Sequence, residues 1–293
     1  TDTNTDSSNS GTDSNKGDKN NKDEEEDDGP SFDTVIEHKL TIDDIVNLGV
    51  FDTEISANDG GVLEFFDAEN IDVSGFNGGQ KEIRQGGVYK LSGVSEGGNI
   101  LINLSNATEK NITLVLDNLT MISDWEKAPI YAQDCQSLTI IIPSNTTNVL
   151  KDTSKSIDKG VIHVKSGNLT IKGKGTLNLE SNAENGRGIY CSRVLTIDGG
   201  IYNIVSSHSH GIQGQDGLAI KSGEFNITAA KSGLKSGDYD ETPSKNDPKV
   251  NIIESREGYV DISGGCFNIK SATNGISSYG YVAISGGKIV LES

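Results

Sequence analysis

The chain has 293 residues, of which 33% are hydrophobic and 35 are glycine, with 43 acids against 25 bases and a net charge of −18. That balance argues against a nucleic-acid surface, since neutralising phosphates takes Lys and Arg. No apolar run approaches the ~18 residues that a membrane-spanning helix needs. Residues 1–30 hold ten of the acids and three of the bases, with no Val, Ile, Leu or aromatic residue, and run into Asp23-Glu24-Glu25-Glu26-Asp27-Asp28. Such a segment cannot bury enough apolar surface to offset its ordering entropy, so it reads as a disordered acidic tether. The remaining residues are net −11. The sequence opens on Thr1, and a polar leader of this kind fits an exported, surface-tethered protein with room for a lipid anchor upstream of Thr1.

Residues 31–67 contain Leu40-Thr41-Ile42-Asp43-Asp44-Ile45-Val46, spaced for a short helix, and the apolar patch Val62-Leu63-Glu64-Phe65-Phe66. They read as the cap that a solenoid needs at its first turn. From residue 68 onward the runs are strand-like: Val88-Tyr89-Lys90-Leu91, Ile100-Leu101-Ile102, Ile112-Thr113-Leu114-Val115-Leu116 and Leu138-Thr139-Ile140-Ile141-Ile142. A repeat of the form aliphatic-x-Ile-x-small-Gly then sets in, with its Ile at positions 171, 197, 220, 262 and 284. The usual step of 22 to 26 residues is too short for paired helices and fits one turn of a β-solenoid. The single step of 42 is one period plus an insertion at about 236–257.

Two further strings keep the same phase. Leu177, Tyr202, Phe225, Phe267 and Ile289 alternate with Asn178, Asn203, Asn226 and Asn268, which puts the first set inward and the amides outward. Gly188-Ile189, Gly211-Ile212, Gly233-Leu234 and Gly275-Ile276 mark a third strand. Three short strands per turn, separated by Gly, Ser and Asn corners, describe an all-β, three-faced parallel β-helix over residues 68–293. Cys135, Cys191 and Cys266 have neither zinc nor disulfide-framework spacing, and all three are expected to be free.

Gly87-Val88-Tyr89-Lys90-Leu91-Ser92-Gly93, Ile112-Thr113-Leu114-Val115-Leu116-Asp117, Pro129-Ile130-Tyr131 and the chain of Gly-Ile and Ile-x-Gly-Gly turns together resemble the clostridial secreted carbohydrate-binding parallel β-helix proteins. The resemblance implies a right-handed, pectate-lyase-like solenoid that binds cellulose-like and acidic plant polysaccharides, with calcium sites and without established catalysis. Where those relatives carry Asp-Gly or Asp-Asp-Gly before the Gly-Ile strand, this chain has Asn185-Gly186-Arg187, Ser207-His208-Ser209-His210, Lys231-Ser232 and Thr273-Asn274. Calcium wants several carboxylate or carbonyl oxygens, and these corners do not supply them.

On the third strand the residues after the inward aliphatic form a column, Tyr131, His163, Tyr190, Gln213, Lys235 and Ser277, with Arg187, His208, His210 and Lys231 on or beside it. Rings that stack on sugars, beside cations that focus an acidic glycan on an acidic protein, make Tyr131, His163, Arg187, Tyr190, His208, His210, Gln213, Lys231 and Lys235 the candidate carbohydrate-binding residues. Ordinary surface polarity would produce the same column. Binding carried by this strip is expected to survive chelator, fall with salt, and strengthen below about pH 6.5 as the histidines charge. The outward asparagines read as a structural amide ladder in preference to sugar contacts.

In the insertion, Asp238, Asp240 and Glu241 could hold calcium, against the alternative of a solvated acidic loop. Hydrolysis would need paired carboxylates, which are not evident near His210, and a lyase would need a calcium cluster beside a base such as Lys235 or Arg187. The function expected is therefore non-catalytic polysaccharide binding by a monomer at the cell surface. A polysaccharide lyase and a structural or adhesion protein are the alternatives.

Overall fold

A computed structural model describes residues 68–76, 78–237 and 258–292. The tether, the proposed cap and the insertion with Asp238, Asp240 and Glu241 lie outside the described residues. Within them every element is a strand apart from a 3-10 turn at Val73–Gly75, and every strand pairing is parallel. The strands form a 12-stranded and an 8-stranded sheet in which neighbours are successive turns of the chain. This is the parallel β-helix expected from the repeat.

The long strands Asn168–Ser181, Val194–Ser206 and Gly217–Ala229 each serve two faces by bending midway. Val194–Ser206 bends at Gly199 and Gly200, both at φ +93°. A Cβ on Gly199 would lie 2.4 Å from the carbonyl oxygen of Gly173 in the turn below. Only glycine combines that dihedral with that approach. Gly188 of the third face is required for a different reason. Its backbone angle is ordinary, but a Cβ would stand 2.4 Å from Cγ2 of Ile204, which crosses the interior from the second face. Gly211 and Gly233 meet Ile227 and Ile269 in the same way. The glycine of each Gly-aliphatic pair is thus a packing residue.

The motif isoleucines stack in one column, Ile171 on Ile197, Ile220, Ile262 and Ile284. Tyr202, Phe225 and Phe267 lie inward on the second face as stacked rings, with centroids 4.8 and 4.6 Å apart and planes within 4°. One buried cluster runs through the whole described helix. Below Leu177 the same inward position is taken by the fully buried Asn148, whose Oδ1 accepts from Leu119 N–H and whose amide donates to Thr146 Oγ1 and Thr176 O. The insertion leaves this lattice undisturbed, because Phe225 and Asn226 pair directly with Phe267 and Asn268 on its far side. The three cysteines are free, as expected, and burial pushes the Cys135 and Cys191 thiols up to about 12 and about 11, so both stay protonated.

Candidate functional site: a polar groove and a covered aromatic column

Strand alternation sends every second side chain of the second face outward, and the parallel register lines them up into two rows. One row runs Thr120, Val149, Asn178, Asn203, Asn226, Asn268, Val290. The other runs Ile122, Lys151, Glu180, Val205, Thr228, Lys270, Glu292. Between them lies a groove of about 600 Å³ that follows the solenoid axis from Val149 and Lys151 to Glu292.

The amides form the expected ladder: Asn203 Nδ2 donates to Asn178 Oδ1 at 2.8 Å, and Asn226 Nδ2 to Asn203 Oδ1 at 3.0 Å. Each rung consumes one N–H and one oxygen lone pair, while a primary amide carries two of each. Asn203 therefore keeps one donor and one acceptor turned into the groove. The charges of the second row pair among themselves, Lys151 with Glu180 at 2.8 Å and Lys270 with Glu292 at 2.9 Å. Lys151 and the hydrogen bond from Asn182 hold the Glu180 carboxyl below the usual range. Exposed Val205 and Thr228 stand between the two pairs. The lining is net neutral on an acidic molecule.

The third face holds the column read from the sequence, with Tyr131, His163, Tyr190, Gln213, Lys235 and Ser277 in register on successive turns. It does not hold them open to solvent. Tyr131, His163, Tyr190, Gln213 and Lys235 are all buried, because side chains from the neighbouring corners fold across them. Lys127 lies 5.3 Å from the centre of the Tyr131 ring, Lys159 and Arg187 lie 5.2 and 5.3 Å from that of Tyr190, and Lys235 lies 4.2 Å from that of Tyr279. Arg187 Nε donates to Gln213 Oε1 at 2.8 Å, and the His163 ring sits edge-on to Tyr190. Of the basic residues singled out, His208 and Lys231 are exposed and Arg187 and His210 half-buried.

The expected gain in charge on acidification is corrected here for His210 and weakened for His163. Burial, reinforced by Arg187, Lys235 and Lys231, pushes His210 down to about 3, and its Nδ1 accepts the Ser232 N–H. Burial also depresses His163, outweighing its partner Asp158 at 3.2 Å. Burial works against the Asp158 carboxylate, but hydrogen bonds from His163 and from Ala128 N–H outweigh it and keep it ionised. His210 therefore stays neutral between pH 7.5 and 5.5, and His163 takes up a proton less readily than a free imidazole.

Several residues were not singled out from the sequence. Lys127 and Lys159 precede the third-face strands at one phase, a signal present in Lys127-Ala128-Pro129-Ile130-Tyr131 and Lys159-Gly160-Val161-Ile162-His163. Asp152 interrupts a corner column that otherwise reads Ser123, Ser181, Ser206, and it accepts from Ser181 Oγ, Asn182 N–H and Ala183 N–H. Among the described residues no group of three or more His, Cys, Asp or Glu side chains is placed to hold a metal ion.

The model of the carbohydrate-binding domain-containing proteins matches residues 77–293. A carbohydrate-binding domain-containing protein of Acetivibrio thermocellus is 30% identical over 141 residues, 45% of this chain; the chain spans about half the length of that curated relative, 47%. The solved structure of the polysaccharide lyase-like protein from C. thermocellum, a gadolinium derivative, aligns with a TM-score of 0.55 at 24% identity, over 76% of this chain and 94% of the other. At that identity the likeness carries the fold. With most of the solenoid inside the matched region, the chain belongs to the carbohydrate-binding domain family.

Proposed function

We propose that this protein binds polysaccharide without cleaving it, and that the glycan lies lengthwise in the groove of the second face. The observation that carries this reading is the amide ladder. Successive turns carry amides that each keep at least one unused donor and one unused acceptor, at about 4.8 Å spacing, a step comparable to that of one sugar in an extended chain, and Val205 offers an apolar patch between them. Because the acids and bases of the lining are paired, a neutral, cellulose-like chain is the ligand that fits.

An acidic plant glycan is the second reading, supported by Lys127, Lys159, Arg187 and Lys231 along the third-face corner. That surface would serve through the exposed Lys159 and Lys231 and the half-buried Lys127 and Arg187 over a buried column, with exposed ion pairs worth about 0–1 kcal/mol each. The reading also places the protein outside the cell, held by its acidic leader, and leaves calcium binding to Asp238, Asp240 and Glu241.

A glycan array of neutral and acidic oligosaccharides, run with calcium and with chelator, tests both readings. Asn203→Leu/Asn226→Leu should lower affinity for a neutral β-linked chain at least tenfold while polygalacturonate binding is unchanged. Retention of neutral-glycan binding by that variant removes the groove from the site. Unsaturated uronate appearing at its ultraviolet absorbance on incubation with polygalacturonate would replace the binding reading with a lyase.

A further inference from the structure

The only tryptophan of the chain, Trp125, takes no part in the buried cluster. It sits 39% exposed in the corner loop that follows the strand Asn111–Ser123. One turn further on, Ile157 is 71% exposed in the corresponding corner. Scattered surface apolar residues are ordinary, but these two lie on loops that are tightly joined. Lys155 Nζ meets Asp124 Oδ2 at 2.7 Å, Thr153 Oγ1 donates to Asp124 Oδ1 at 3.3 Å, and Ile157 N–H donates to Glu126 O at 3.0 Å. Behind them, the buried Asp158 carboxylate accepts the Ala128 N–H at 2.8 Å. The backbone of both corners is held by polar contacts that leave the two apolar side chains turned to solvent.

Trp125 and Ile157 follow directly on strands of the groove's face, in the corner loops after Ser123 and Asp152. Ile122, three residues before Trp125, heads the outward row that passes through Lys151, Glu180, Val205 and Thr228. Val94, also exposed, stands in register with Thr120 at the head of the other row. The apolar end of the face and the amide end are therefore one surface. Of the two carboxylates that flank Trp125, Asp124 and Glu126, Asp124 is paired with Lys155.

We infer that Trp125, backed by Ile157, is a stacking subsite for an uncharged β-linked pyranose at the head of the groove; this rests on the groove reading above. A pyranose with equatorial substituents presents a flat C–H face, and a rigid indole covers it with large area and little rotamer cost.

Because the chain has one tryptophan, intrinsic indole emission reports this subsite alone. The full chain is titrated with cellohexaose while emission and, separately, calorimetric heat are recorded. The expected result is a saturable emission change whose dissociation constant equals the calorimetric one. Trp125→Ala should weaken binding roughly fivefold to tenfold, the equivalent of one aromatic contact, Trp125→Phe should retain most of it, and thermal unfolding of both variants should match the parent. Ile157→Ser should weaken binding less than Trp125→Ala. Calorimetric binding with unmoved emission and an unaltered Trp125→Ala overturns the subsite and leaves the groove standing. Binding that is lost in Asn203→Leu/Asn226→Leu but intact in Trp125→Ala does the same. Absence of cellohexaose binding by both readouts overturns the subsite as stated, while the array decides the groove.

Discussion

The Asp152 carboxylate is buried at the corner between the second and third faces and accepts hydrogen bonds from Ser181, Asn182 and Ala183. Burial raises its pKa from 3.8 to about 6 against those bonds, with ionised Asp158 adding to the rise. A raised acid pKa means that the folded state holds the proton more tightly than the unfolded chain. The penalty is absent below pH 3.8, grows as the pH rises to about 6 and is constant above. Its size at pH 7 is on the order of 3 kcal/mol by linkage. Asp152→Asn should therefore raise the melting temperature at pH 8 and bring no gain at pH 4, since an amide oxygen still accepts the Asn182 and Ala183 N–H groups without burying a charge. Denaturation curves of parent and variant across that range check this; a gain that is equal at both pH values contradicts it. Tyr190 belongs at this scale too. Its ring packs under Lys159 and Arg187, so Tyr190→Ala should cost about 3 kcal/mol of stability, as large-to-small core changes do, and not merely affinity.

At the scale of the element, each turn is joined to the next by backbone ladders and by one residue of each inward column. Phe225 sits between Tyr202 and Phe267, so Phe225→Ala should remove two stacked contacts and open a cavity, at about 3–5 kcal/mol. Gly188→Ala, which drives a methyl into Cγ2 of Ile204, should cost about 1–3 kcal/mol as overpacking does; Gly188→Ala/Ile204→Leu, which removes that branch methyl, should recover part of that loss in the same denaturation assay. These columns were legible because a stacked parallel strand turns sequence period into contact: Ile171, Ile197, Ile220, Ile262 and Ile284 recur in phase and touch in that order. The cover over Tyr131 and Tyr190 was not. Alternation tells on which side a side chain leaves its strand and is silent about which long side chains of adjacent corners cross over it, as Lys127, Lys159 and Arg187 do. Asp152 was hidden for a related reason, being one acid in a column of serines with no repeat to announce it. The amide ladder was read correctly as structure. Its remaining donors and acceptors become visible only when each bond is assigned.

The whole described molecule is close to one-dimensional, since a turn contacts only its neighbours along the axis. Opening should therefore be graded along the axis. The strands Tyr281–Ile284 and Lys288–Glu292 keep their register with the preceding turn, yet Val282, Ile284 and Leu291 are exposed where their counterparts Val260, Ile262 and Ile269 are buried. Amide hydrogen exchange should be fastest in those two strands and slowest in Val194–Ser206 and Gly217–Ala229. Uniform protection from one end of the solenoid to the other would show instead a single all-or-none unit.

The amide ladder also has a statistical consequence. Asn178, Asn203, Asn226 and Asn268 stand in register on successive turns, so on the groove reading a short oligosaccharide that spans two of them has three placements of the same kind. Degeneracy of that order adds about 0.7 kcal/mol of mixing entropy and lets a chain advance by one rung without releasing the surface. The ion pairs Lys151–Glu180 and Lys270–Glu292 mark the two ends of this repeat. On the proposed reading, the groove within those bounds would act as a ruler without a zero mark, gripping polymer anywhere along its length and indifferent to where a chain begins.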